Sequence, residues 1–290
     1  MPNAVPIDYQ CTVKKPDDFD AFWDGVLQQV AAIPLEPEMI PDPLRTSAEV
    51  EVFQVCYTSL EHVRIAAWYC RPTRRAARIP AVLLLPGYQA DPPIPKEWAL
   101  KGYGALSVAP RGKLRSHRQF NPGYPNLLTY NMVDRHTYAY RGFYVDSWRG
   151  IDFLLSRSEV DPTRLGVTGS SQGGGLTITT AAMRPEIRAA AAGAPYLCGF
   201  MDAIALTHTY PYEEINDFLR AHLESRRTLY ALLSTIRDKT LMLPGSTTTH
   251  ENGRYATVIF KATLLCASRT GSRVCGVRNF QGSSKKVSGC

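Results

Sequence analysis

Gly169-Ser170-Ser171-Gln172-Gly173 has the form G-x-S-x-G and places Ser171 at its centre. A serine at this spacing attacks carbonyl carbon when a buried strand runs into the turn and a helix leaves it. Both flanks are present. Residues 165–168, Leu-Gly-Val-Thr, read as a short buried strand, and 173–183 read as a helix. The turn between them is sharp, so side chains at 169 and 173 would collide with neighbouring backbone. The Ser171 hydroxyl is then held at the carboxyl end of a sheet beside the amino end of a helix. The amide of Gln172 faces the oxyanion of a tetrahedral intermediate. Ser170 is not a rival, because Thr168 stands two residues before it where glycine is needed.

Such a serine needs a sheet whose strands end together. Residues 16–32 carry an apolar stripe at helical spacing (Phe19, Phe22, Trp23, Val26, Leu27, Val30) that reads as a lid or interface face. Residues 50–57 and 63–69 look like paired strands, the second alternating Val63, Ile65, Ala67, Tyr69. A continuous apolar strand over 80–85 ends at Pro86-Gly87-Tyr88. A helix near 95–101 and a strand over 105–109 follow. A helix over 144–157 comes next, and Asp161-Pro162 turns the chain into the strand before Ser171. The helix after Ser171 leads to a strand near 188–194. Buried strands alternating with helices predict an α/β fold, a mostly parallel sheet with helices on both faces. Sites in such sheets lie at the carboxyl ends of the strands. Three loops meet that description: Gly87-Tyr88, Arg111-Gly112 and Ser171-Gln172.

Hydrophobic residues at 44% and charged residues at 20% describe a globular chain whose 290 residues suffice for one large α/β domain. The longest apolar run, 79–85, has strand length, so no membrane span is expected. No secretory signal pattern opens the chain, and seven cysteines at irregular spacing suit reduced thiols in the cytoplasm. No metal-ligand or phosphate-loop motif is present, and neither a cofactor nor a metal is expected. The net charge of +7 is unevenly placed. Residues 225–290 hold eleven Lys/Arg against Asp238 and Glu251, a balance of +9, which leaves −2 for residues 1–224. A basic tail raises nucleic-acid binding as an alternative, but aromatic residues are sparse there and no nucleic-acid module is recognisable. No nucleic-acid partner is therefore expected. The expected organisation is a core over 1–224 and an atypical basic tail over 225–290 that does not continue its fold.

With these residues in view the chain resembles the α/β-hydrolases. More closely, over about residues 10–224, it resembles the acetyl xylan esterase and cephalosporin C deacetylase family of carbohydrate esterases. Pro16-Asp17-Asp18-Phe19-Asp20-Ala21-Phe22-Trp23 is similar to that family's amino-terminal helix. Pro86-Gly87-Tyr88-Gln89 is similar to its oxyanion loop, and Arg111-Gly112 to the start of its R-G-Q motif. Gly169-Ser170-Ser171-Gln172-Gly173-Gly174 matches G-x-S-Q-G-G, and Tyr210-Pro211-Tyr212-Glu213-Glu214-Ile215 also fits. The resemblance implies a serine esterase acting on small acetylated substrates without a cofactor, assembled as a hexamer. It implies Ser171 as nucleophile and the backbone amides of Tyr88 and Gln172 as oxyanion donors. On the residues alone, an amide following Gly87 at a strand end suits the second donor, and a packing tyrosine at a loop start is the lesser alternative for Tyr88.

The chain departs from the family at two places. Lys113 stands where the motif has Gln and cannot accept a hydrogen bond as Gln does. The family's acid and histidine follow a late strand, but here no histidine follows Glu251. His208, His222 and His250 are the histidines after Ser171; His208 and His222 fall in segments similar to the family's insertion and its helix, and an Asp238–His250 pairing keeps the Ser–acid–His chain order. A shortened or frame-shifted carboxyl terminus would account for the charge jump and the missing pair together. An α/β-hydrolase-like protein with an incomplete triad is the alternative to an active esterase.

Overall fold

Four parallel strands at the centre of an eight-stranded sheet carry the architecture, in the order β1-β2-β3-β5-β4-β6-β7-β8. The computed structural model describes residues 16–197, 200–222 and 257–261. β4 (Ile79–Leu85) is the pivot. It pairs in parallel with β5 (Gly104–Ala109) on one side and with β6 (Val160–Ser170) on the other, and β6 pairs in parallel with β7 (Ile187–Gly193). The chain therefore moves outward in one direction from β4 to β5, then crosses back over β4 to β6. That reversal is the topological switch point at which α/β sheets bind ligands. β1 (Glu38–Pro41), β2 (Val50–Thr58) and β3 (Arg64–Pro72) extend one edge as an antiparallel meander. β8 (Thr257–Lys261) closes the other edge antiparallel to β7. Five of the eight strands thus run one way, as a mostly parallel sheet requires.

Strand burial follows side-chain alternation. Phe53, Val55 and Tyr57 of β2 face a large core shared with α1 (Phe19–Ala31) and α3 (Ala139–Leu155). Val50 and Val52 face a smaller cluster with Trp68, Cys70 and Ala99 of α2 (Lys96–Leu100). α4 (Gln172–Met183) packs on β6 and β7, and α5 (Phe200–Leu206) and α6 (Tyr212–Ala221) follow β7. Helices cover both faces, as expected.

Several expectations change. The apolar stripe of α1 is a core face and not a lid. Trp23 packs edge-on against Tyr144 at 5.9 Å and Trp148 at 5.5 Å, with Phe19, Val26 and Val30 buried beside it. α3 begins at Ala139, five residues before its expected start at 144, because the aromatic run Tyr138, Tyr140, Phe143 is buried and helix-compatible. Asp161-Pro162 does not precede β6 but bulges out of it: Ile79 pairs with Val160 and Ala81 already with Leu165. Asp161 stabilises that bulge by accepting from the amide and hydroxyl of Thr163 and from Arg164. β1 and β8 had no legible periodicity and were not expected as strands.

Candidate active site

Ser171 sits at the junction of β6 and α4 with φ 56° and ψ −122°, a left-handed backbone that a residue with a Cβ occupies only under constraint. Its amide donates to the Gly193 carbonyl at 2.9 Å. Its own carbonyl accepts from Tyr196 N at 2.9 Å and from Gly175 N at 3.1 Å. β7 and the segment after it therefore pin the strained residue, while its side chain stays exposed. The glycines around it are sterically obligatory. A Cβ on Gly173 would lie 2.1 Å from the Leu85 carbonyl oxygen, and one on Gly169 would lie 2.5 Å from the Gly173 oxygen. Both contacts are backbone on backbone, so no side-chain motion relieves them. Gly173→Ala is accordingly expected to displace α4 from β4 and to lower turnover of a small acetyl ester by about 100-fold. Steady-state kinetics check this, and an undiminished rate would show that the close approach is dispensable.

The three loops foreseen at the carboxyl ends of the strands do converge, because β5, β4 and β6 are adjacent and parallel. Gly87, two residues beyond β4, lies against the elbow: a Cβ built on it would be 3.9 Å from the Ser170 carbonyl oxygen. Gln172 opens α4 fully buried, its side-chain oxygen accepting from Tyr140 Oη at 2.8 Å. Tyr88 is 6% exposed, and its hydroxyl donates to Glu214 of α6 at 2.5 Å. Burial, then this carboxylate, pushes the Tyr88 hydroxyl far above the ordinary tyrosine range.

Glu214 collects four donors at one buried carboxylate. Its other oxygen accepts from Leu128 N at 3.0 Å, Thr129 N at 3.0 Å and Thr129 Oγ1 at 2.9 Å. It ties α6, the segment before α3 and the loop after β4 into one body. Charge-assisted bonds of this kind are about twice as strong as neutral ones. Asp146 plays the matching role on the other side. The Arg111 guanidinium, 2% exposed, reaches it through Nε at 3.0 Å and Nη2 at 3.1 Å, and the Arg111 amide bonds it at 2.9 Å. Ser59 Oγ adds 2.6 Å, and Arg111 Nη1 reaches Glu61 at 2.8 Å. Through these partners Arg111 fixes the turn after β5. Asp146 was not singled out in the sequence, and Glu214 entered only within the Tyr210–Ile215 stretch, with no role assigned. The available signal was an acid inside an otherwise apolar helix face, Val145-Asp146 before Trp148.

Lys113 is 5% exposed, and its Nζ donates to the Gly87 carbonyl at 2.8 Å. Burial lowers its pKa to about 8. An unfolded lysine keeps its proton to about 10.5, so between about 8 and 10.5 the unfolded chain binds the extra proton and stability rises with pH. Below about 8 both states are charged and the cost of burial is present in full. Urea melts of the native chain and Lys113→Met from pH 7 to 10 should show this rise only in the native chain. Parallel curves would mean that the ammonium is better solvated than its burial implies.

Among the described residues no histidine ring hydrogen-bonds Ser171. His208 lies 3.4 Å from Glu213, His222 stacks on Phe218 at 4.1 Å, and His136 packs edge-on to Phe22 at 5.4 Å. His62 and His117 close short 3-10 turns at Leu60–His62 and after Leu114–Ser116. Asp238, His250 and Glu251 lie outside the described residues, as does most of the expected basic tail. Among the described residues no cluster of His, Cys, Asp and Glu could hold a metal ion, and no helix is long and apolar enough to cross a membrane.

A strained serine at a strand–helix junction, on a mostly parallel sheet with helices on both faces, defines the α/β-hydrolase class. The chain belongs to the acetyl xylan esterase (AXE1) family, whose model matches residues 6–241, past the point near 224 where the resemblance was read to end. It is 27% identical over 207 residues to the acetyl esterase Axe7A of Xylanibacter ruminicola, a match covering 65% of this chain and 46% of that protein. The chain thus spans less than half the length of that curated relative. An acetyl xylan esterase from Paenibacillus sp. R4 superposes with a TM-score of 0.71 at 28% identity, covering 80% of this chain and 77% of the other. Acetyl xylan esterase 1 from Thermoanaerobacterium sp. JW/SL YS485 shares the fold with a TM-score of 0.70 at 22% identity, covering 81% and 78%.

Proposed function

We propose that this chain is a serine carboxylesterase that removes acetyl groups from acetylated carbohydrates or similar small esters, cephalosporin C among them. The observation that carries the reading is the backbone of Ser171, held at φ 56° between β6 and α4 in a chain of the acetyl xylan esterase family. Strain of this kind costs roughly 1–3 kcal/mol and persists where the surroundings enforce it. Here the residue is exposed at the carboxyl end of β6, whose neighbours in the sheet include β4, with β5 beyond it.

Ser171 Oγ attacks the acetyl carbonyl, and its proton passes to a general base. The amides of Tyr88 and Gln172 receive the oxyanion. Collapse breaks the ester bond, the alcohol leaves with the proton, and acetyl-Ser171 remains. Water then attacks the acetyl group and releases acetate, returning the proton to Ser171. His250 follows Ser171 and, paired with Asp238, keeps the Ser–acid–His chain order, which makes it the candidate base. The reading includes a cytoplasmic setting, in keeping with seven cysteines of irregular spacing, and a homo-oligomer of the hexameric type.

The test is acetate release from an acetylated xylo-oligosaccharide and from an aryl acetate, with mass spectrometry of a fluorophosphonate adduct. Acetate from both esters and an adduct on the Ser171 peptide are expected. An adduct elsewhere, or no acetate from either ester, would overturn the reading in favour of a hydrolase-like protein with an incomplete triad. His250→Ala is expected to abolish most of the turnover. An unchanged rate would move the base to another residue.

A further inference from the structure

Lys113 lies against the loop after β4, and the reaction as written leaves it unused. It follows β5 in the turn that Arg111 locks to Asp146, so its backbone is fixed by a buried ion pair. Its Nζ reaches across to the next strand's loop and holds the Gly87 carbonyl at 2.8 Å, passing 5.6 Å from the centre of the Tyr88 ring. Among the described residues no carboxylate lies within ion-pair distance of this ammonium. Asp91 is the acid whose field reaches it, and the Tyr88 phenol is the ionisable group whose ring it faces. A buried cation with a carbonyl but no carboxylate partner costs folding stability.

The Gly87 carbonyl and the Tyr88 amide belong to one peptide unit. In a planar trans peptide the C=O and N–H point in opposite directions. A cation fixed on the oxygen therefore fixes the heading of the N–H, and it draws electron density from the nitrogen, making the N–H a stronger donor. On the far side, Glu214 holds the Tyr88 hydroxyl at 2.5 Å, so the residue is anchored at both ends. We propose that Lys113 is a positioning residue that aims and polarises the Tyr88 amide toward the developing oxyanion, its charge as well as its hydrogen bond being used. This rests on the esterase reading for the purpose of the amide, but the coupling of Lys113 to that amide stands independently of turnover.

The test uses the full chain labelled with nitrogen-15 at tyrosine, with Tyr88→Phe identifying the Tyr88 amide by its disappearance. The Tyr88 resonance should move as pH is raised through about 8, where burial has placed the Lys113 titration, and should stay still in Lys113→Gln, which keeps a donor and removes the charge. The Tyr88 phenol, raised far above its usual range, is silent in that window. With an aryl acetate, Lys113→Gln should lower kcat about tenfold and leave KM within about twofold, since a weakened oxyanion donor acts in the transition state. A Tyr88 resonance that ignores pH, or that moves equally in Lys113→Gln, overturns the proposal. So does an unchanged kcat in Lys113→Gln. A chain that hydrolyses no ester while its Tyr88 resonance still follows Lys113 would refute the esterase reading and leave the coupling in place.

Discussion

Ser171→Ala is expected to lower kcat/KM for a small acetyl ester by about 10⁴- to 10⁶-fold and to abolish fluorophosphonate labelling. The loss is this large because in the proposed mechanism the hydroxyl forms the covalent bond, and no neighbour replaces it: Ser170 lies within β6, before the strand–helix turn. What remains would come from the oxyanion donors acting on water. KM should change little, since the alanine removes no binding surface beyond one oxygen. The backbone supplies a second, opposite readout. Alanine keeps the Cβ and hence the strain at φ 56°, whereas glycine does not. Ser171→Gly should therefore be as inactive as Ser171→Ala but more stable by about 1 kcal/mol. Urea titrations of the three proteins compare them. Equal stability of the glycine and alanine variants would mean that the residue is not strained, and retained labelling in either would displace Ser171 as nucleophile.

Asp146→Ala is expected to cost about 3–5 kcal/mol of folding stability, the usual consequence of leaving a buried charge without its partner. Against a total of about 5–15 kcal/mol for a domain, this is a large fraction. Asp146 is fully buried and accepts from the Arg111 amide, Nε and Nη2 and from Ser59 Oγ. Truncation strands all four donors at once. The guanidinium has no room to move away, because a Cβ on Gly142 would already lie 2.2 Å from Arg111 Cζ. The remaining partners are the Leu60 carbonyl and Glu61, the latter half exposed. Because Lys113 follows Arg111 in the same turn, activity should fall more than the fraction folded. A loss below about 1 kcal/mol would show that the ion pair is wetter than its geometry indicates.

The local pattern was sufficient for much of this protein. The G-x-S-x-G run, with a buried strand before it and a helix after it, marked Ser171 and its obligatory glycines. The reason is that the motif is contiguous and its constraint is steric within a few residues. Strands β2 to β7, other than the bulge in β6, were legible because half- and fully buried strands leave a periodic apolar record. The record failed where that cause is missing. β1 has one partly buried residue in four, so nothing in its composition marks a strand, and β8 owes its place to the free edge of β7. The stripe of α1 was visible, but its destination against Tyr144 and Trp148 was not, since periodicity says that a face is buried and never against what.

The polar framework of the crevice belonged wholly to the tertiary structure. Glu214 meets Tyr88 from 126 positions along the chain, and Asp146 meets Arg111 from 35. No spacing rule connects residues that only the crossover at β4 brings together. Lys113 illustrates the division most sharply. In the sequence it is a substitution in a motif, a lysine where glutamine was expected. In the folded chain its ammonium bonds the carbonyl of the peptide whose amide is the proposed oxyanion donor, because β5 and β4 are parallel neighbours and their loops leave the sheet on the same side.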